Sequence, residues 1–240
     1  MSKFLQPDKD FQKEVTKYHK SDAISAILLF FIMCILYTVL AITDHKIPFI
    51  KKYTQTENAL LVGGIFNILM IAITFLFLKV RKEKLSSIGL YNGQWKKSCI
   101  IGLILAAILF FTNCLSNIIS GASFVAGKDI LRLSFYYLTV AFCEEAVFRG
   151  YIGTRLYGMS SNKYMVIIVT GILFVVMHFP YRMVAYGMTI SDLTIHNVGW
   201  IVDLFVTHTV LSIIYMKTNS LYGSIIPHWM SNLAYNLVMR

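Results

Sequence analysis

Glu144 and Glu145 are adjacent in the segment AFCEEAVFRGYI, in a chain whose surroundings are mostly apolar. A carboxylate in hydrocarbon costs several kcal/mol, on scales that differ about how many. Arg149 follows Glu145 at the helical i,i+4 spacing, so its guanidinium can pair with that carboxylate. Glu144 points to another side of the helix and has no local counter-charge. A glutamate in a dry place beside a neutralised neighbour is a candidate general base. The alternative is an ion-pair cluster that only locks helices together.

Two further pairs sit one helical turn apart. Phe174 and His178 form FxxxH within FVVMHF, and His228 and Asn232 form HxxxN within SIIPHWMSN. Histidine in a membrane span is rare and usually faces protein or a cavity. A glutamate pair and two histidines on three helices suggest a site assembled inside a bundle. Pro180 and Pro227 stand where a helix bends or starts, next to the two histidines. Such residues can activate a water or hold a metal that does so. A histidine or an asparagine can donate to a developing oxyanion. Together these steps are those of amide hydrolysis. The zinc-protease helix HExxH is absent, as are GxGxxG and a phosphate-binding loop.

The positioning elements must be membrane helices. Of 240 residues, 57% are hydrophobic and 14% charged, against about 25% charged in a soluble domain. Ala23–Ile42, Ala59–Leu78 and Ser98–Gly127 carry no charge, and each reaches the roughly 20 residues that span a bilayer. The second half is more polar. One helix is expected from about Leu133 to Tyr157, another from about Tyr164 through His178. Val198–Met216 and Leu221–Val238 are further spans. Met183–His196, with Asp192, reads as a short helix, a re-entrant piece or a loop. The expected fold is therefore all-α, a polytopic bundle of seven or eight spans. It forms one integral-membrane domain over 1–240: a basic lead-in at 1–22, scaffold spans at 23–127 and a working core at 133–238.

The net charge of +10 concentrates at Lys3–Lys20 and at Lys79–Lys97. The excess of Lys and Arg places both segments, and the N-terminus, in the cytoplasm. The loop with Lys46, Lys51 and Lys52 then lies outside. An orienting set beside anionic lipid headgroups accounts for the charge, and no basic groove with interleaved aromatics argues for nucleic acid. The lead-in FLQPDKDFQKEVTKYHK lies along the inner surface or stays disordered, and the first apolar run reads as a retained anchor. Cys34, Cys99, Cys114 and Cys143 are scattered without CxxC and indicate neither disulfide nor zinc site.

EExxxR, FxxxH and HxxxN, in that order, resemble the three motifs of the CPBP family, the CAAX-protease and bacteriocin-processing intramembrane proteases. TNSLYGSIIPHWMSN also resembles the family's small-residue lead-in to its last histidine. The resemblance covers roughly Leu133–Leu237 and implies the CAAX prenyl protease fold. It implies Glu144 as the catalytic glutamate, Glu145 and Arg149 as its supporting pair, His178 from the second motif, and His228 and Asn232 from the third. Family accounts include a metal enzyme, with Glu144, His178 and His228 as candidate zinc ligands. They also include a metal-free one, in which Glu144 activates water while His228 and Asn232 hold the oxyanion. The second is slightly preferred, because a zinc ligand role for Glu144 leaves no obvious base. The expected function is an intramembrane endopeptidase acting on a membrane-associated peptide or protein. Alternatives are a non-proteolytic interaction or bacteriocin self-immunity protein and, more weakly, a transporter. The composition suggests a bacterial multi-pass protein of the cell membrane.

Overall fold

The computed structural model describes residues 6–47, 59–91 and 94–237; Lys3 and the segment with Lys51 and Lys52, expected outside the cell, fall beyond the described residues. The helices in chain order are α1 Lys9–Val15, α2 Lys20–Lys46, α3 Ala59–Val80, α4 Trp95–Ile119 and α5 Gly127–Glu145. A π-helical segment, Ala146–Gly153, continues directly from α5. Then come α6 Lys163–Met177, α7 Phe179–Tyr186, α8 Val198–Thr218 and α9 Tyr222–Asn236. Short turns at Leu85–Ile88, Leu156–Gly158 and Asp192–His196 join them.

Among the described residues, five helical stretches are long and apolar enough to cross a membrane. They are α2, most of α3 and α4, the continuous α6–α7 stretch, and α8. α5 and α9, which would complete a count of seven, fall short. α5 spends part of its length on Asp129, Arg132 and the two glutamates, and α9 has only 15 residues. Met183–His196 does not cross: it is the end of α7, a loop and one short turn.

The chain departs from regular α-helix at two places beside the site residues. The helix expected over Leu133–Tyr157 is α-helical only to Glu145 and then widens into the π segment. Such wide turns are rare and recur at functional sites. Residues 143–152 are all buried, so this segment is enclosed by protein on every side. Gly150 makes that possible. A Cβ there would stand 2.9 Å from the Ile88 Cβ and 3.1 Å from the Ile88 carbonyl oxygen. The other break falls at His178, which closes α6 and opens α7. Pro180 lies in the first turn of α7, where its missing N–H costs nothing. Pro227 does not start a helix; it lies inside α9, one residue before His228.

Packing uses small residues, as membrane helices do. A Cβ on Gly102 of α4 would stand 3.1 Å from the Gly223 Cα of α9, so the two backbones nearly touch. The Ser98 hydroxyl accepts from the Gly223 amide at 2.7 Å and fixes the pair at one end. The lead-in helix α1 is neither disordered nor merely laid on a surface. Phe11 is buried edge-on between the Tyr157 and Tyr215 rings, both 5.7 Å away. The Asp8 amide also donates to the Met216 carbonyl at 2.9 Å.

Beneath the bundle lies a second buried charge network. Arg155 is fully buried and donates to Glu83 and to the Ser87 hydroxyl. Its guanidinium stacks on Tyr18 and Tyr151, with Cζ 4.6 and 4.3 Å from the ring centroids. Arg81 pairs with Asp22 and approaches Glu83 at 3.4 Å. Burial pushes the Tyr18 phenol well above its usual titration range. The connection that the sequence presents as a basic cluster is thus bound to α2 through Asp22, and to Arg155, just past the π segment, through Glu83.

Candidate active site

Glu144 and Glu145 end α5 side by side and diverge in role. Glu145 is fully buried, with one carboxylate oxygen 2.9 Å from Arg149 Nη1 and 2.7 Å from His228 Nδ1. Glu144 is also buried but has neither partner. Its Oε1 lies 3.9 Å from His178 Nε2, and its Oε2 lies 3.7 Å from His228 Nε2. Those separations are too long for direct hydrogen bonds and suit a small polar molecule between the groups. The Tyr37 hydroxyl donates to Glu144 Oε1 at 3.3 Å.

Each imidazole is oriented from behind. His178 Nδ1 donates to the Phe174 carbonyl at 2.7 Å, one turn earlier on α6. His228 Nδ1 donates to Glu145. The acceptors fix both tautomers, since a carbonyl and a carboxylate can only receive. Both Nε2 atoms therefore face Glu144. Phe174 explains the FxxxH spacing. Its ring is edge-on to His178 at 4.9 Å, while the Arg149 guanidinium lies over it at 4.7 Å. Glu145, Arg149, Phe174 and His178 thus form one continuous support around Glu144.

Asn232 is not hydrogen-bonded into this cluster among the described residues. It is half-buried, one turn beyond His228, and its carbonyl accepts from the Asn236 side chain at 2.8 Å. Among the described residues no hydrogen bond ties its side chain to Glu144 or to either histidine. Three neighbours were not evident from sequence. Tyr37 comes from α2, so that span is part of the site wall and not only scaffold. Trp200 of α8 stands edge-on to the His178 ring at 6.0 Å. His208 is fully buried behind Phe174, at 5.4 Å, and shares Nε2 with the Thr170 and Ser212 hydroxyls at 3.0 and 3.2 Å. Of the three, only His208 stands out in the sequence, as a histidine within the otherwise uncharged run Val206–Met216.

The donor chemistry suits a divalent metal. Two imidazole Nε2 atoms, each held through Nδ1, and one carboxylate resemble an open zinc site in ligand type. The side chains as placed nevertheless do not form a ready-made cluster: no three His, Cys, Asp or Glu residues among those described lie close enough to share an ion. The arrangement holds one buried carboxylate without a cationic partner between two oriented imidazoles, as hydrolytic chemistry needs.

The family model for type II CAAX prenyl endopeptidase Rce1-like proteins matches residues 126–234. The match begins just before α5 and ends within α9, and it contains Glu144, Glu145, Arg149, Phe174, His178, His228 and Asn232. Neither a curated protein nor a solved structure matches the chain. With its apolar spanning helices, the chain is a multi-pass membrane protein, and its residues 126–234 are similar to the Rce1-like type II CAAX prenyl endopeptidases.

Proposed function

We propose that the chain is an intramembrane endopeptidase that hydrolyses a peptide bond in a membrane-associated peptide or protein, with Glu144 as general base. One observation carries this reading: Glu144 faces the Nε2 atoms of His178 and His228 while Glu145 is committed to Arg149 and His228. Glu144 takes a proton from water, and the water oxygen attacks the scissile carbonyl carbon. The carbonyl oxygen becomes an oxyanion. His228, when it carries both protons, donates to it through Nε2 while Glu145 balances the imidazolium from behind. The charges of Glu144, Glu145, Arg149 and His228 then sum to zero. Asn232, one turn further along α9, is the second candidate donor. When the intermediate collapses, the departing amine takes the proton from Glu144. Tyr37 holds the carboxylate at the angle from which it meets the water.

A divalent metal bound by Glu144, His178 and His228 would supply Lewis-acid activation of water and carbonyl. Metal content measured beside activity separates the two accounts. Activity that persists after stripping with a strong chelator supports the unaided glutamate, and loss restored specifically by zinc overturns it. The family match supports a membrane-associated peptide or protein as substrate, with a prenyl-modified peptide, the class in the family's name, the first to test. The N-terminus and the Lys79–Lys97 connection face the cytoplasm of a bacterial cell in this reading.

The decisive experiment compares the chain with its Glu144→Gln variant in cells by peptidomics. A precursor that accumulates in the variant, and is cleaved by the purified chain in proteoliposomes, supports the peptidase. A biological phenotype that survives in the variant with no change in processing favours an interaction or self-immunity protein. Coupled transport without cleavage favours a transporter.

A further inference from the structure

Among the described residues, Arg182 is a cation near the site with no carboxylate paired to it. It lies one turn past His178, on α7, and is half-buried. Its Cζ stands 3.8 Å from the Trp200 ring centroid, and among the described residues no hydrogen bond or ion pair engages it. Trp200 is the same residue whose ring meets His178 at 6.0 Å and Phe179 at 6.4 Å. One indole therefore joins the guanidinium to the imidazole. Asp203, one turn further along α8, is exposed and makes no salt bridge with Arg182.

The mode of contact matters. A guanidinium stacked by its face keeps its N–H groups free around its edge, where they match a carboxylate bidentately. Stacking also lowers the freedom that Arg182 loses on binding. α7 itself buries none of its residues, so its surroundings leave room for a ligand. A cation held in a largely apolar setting needs an anionic partner, and a peptide substrate can bring one.

The geometry points to Arg182, stacked on Trp200, as the residue that recognises a carboxylate of the peptide substrate and so sets which peptides enter the Glu144 site. The inference rests on the peptidase reading and names a specificity determinant for it. The carboxylate is that of the peptide C-terminus or of an acidic side chain close to it. Both are read by the same fork, and the experiment separates them.

The test uses full-length protein in zwitterionic proteoliposomes. The probe is a fluorescent, S-farnesylated cysteine–aliphatic–aliphatic–serine tetrapeptide, made as free acid, as C-terminal amide, and as an amide with aspartate replacing serine. Binding is measured on the Glu144→Gln protein, so that it does not depend on turnover, and kcat/KM on the wild type. The acid is expected to bind about tenfold or more tightly than the plain amide. Arg182→Gln should bring that ratio below about threefold. Arg182→Lys, which keeps the charge but loses the planar fork, should fall between, as should Trp200→Leu. Thermal midpoints confirm folding of each variant. Rescue of binding by aspartate in the amide assigns recognition to a side chain; its failure assigns it to the C-terminus.

Equal binding of all three probes by the Glu144→Gln protein with Arg182 intact, or no binding of any probe, overturns the inference. So does a ratio unchanged by Arg182→Gln. If that variant instead loses retained phosphatidylglycerol while keeping the ratio, the guanidinium serves a lipid phosphate and the inference falls. Hydrolysis without acid preference leaves the peptidase standing and removes only Arg182's role. Acid-selective binding without hydrolysis does the reverse.

Discussion

At the scale of single residues, the two adjacent glutamates should respond differently to substitution. Glu144→Gln should lower hydrolysis by on the order of 10²–10⁴, the usual share of a general base, while leaving the thermal midpoint nearly unchanged. Glu145→Gln and Arg149→Met should each destabilise the fold by about 3–5 kcal/mol, because each strands a buried charge; denaturation in detergent measures this. A Glu145 variant as stable as the parent would remove the supporting role. Tyr37→Phe should lower kcat severalfold with little effect on stability, since one hydrogen bond to Glu144 at 3.3 Å is lost and the ring stays. The spacing of EExxxR, FxxxH and HxxxN marks Glu144, Glu145, Arg149, Phe174, His178 and His228, which lie in contact in the fold; Asn232, marked with them, makes no hydrogen bond to that group among the described residues. Tyr37 was invisible because its contact spans 107 residues of sequence and no periodicity marks a lone tyrosine in an apolar run. Arg182 and Trp200 were invisible for the same reason: a stacked pair on two helices has no local signature.

At the scale of elements, the interruptions carry the site. Uncharged runs made α2, α3 and α4 legible, because length and apolarity alone specify a span. The π segment was not legible, since AVFRGYIG is as good an α-helix by pattern as by any other measure. What selects the wider turn is tertiary: complete burial and the approach of Ile88 to Gly150. Gly150→Ala should therefore displace either the 85–88 turn or the π segment, lowering both the thermal midpoint and activity. Gly64→Ala on α3 is the matched control. Its Cβ would meet nothing within 4 Å, and the change should be neutral or mildly stabilising, by up to about 1 kcal/mol of helix propensity. Equal effects of the two substitutions would mean that the contact with Ile88 does not set the π turn.

At the scale of the whole molecule, the proposed orientation rests on the basic segments. Cysteine introduced at Lys84, which is exposed, should label in sealed vesicles only when the cytoplasmic face is accessible. Labelling solely from the outside would reverse the orientation. Composition announced a membrane bundle, but it could not show that the Lys79–Lys97 connection is anchored. Glu83 is the only acid in that stretch, and its partner Arg155 is 72 residues away. That distance has a consequence for synthesis. Asp22 and Arg81 can meet once the first two spans are threaded into the bilayer, whereas Arg155 leaves the ribosome about 4–14 s after Glu83 at about 5–20 residues per second. During that interval the nascent chain holds an unclosed clasp at its inner face. A chain arrested before residue 155 should leave a cysteine at Ser87 open to water-soluble thiol reagents, and one extended past it should be shielded. The candidate site residues His178 and His228 thus enter a scaffold whose base is already locked.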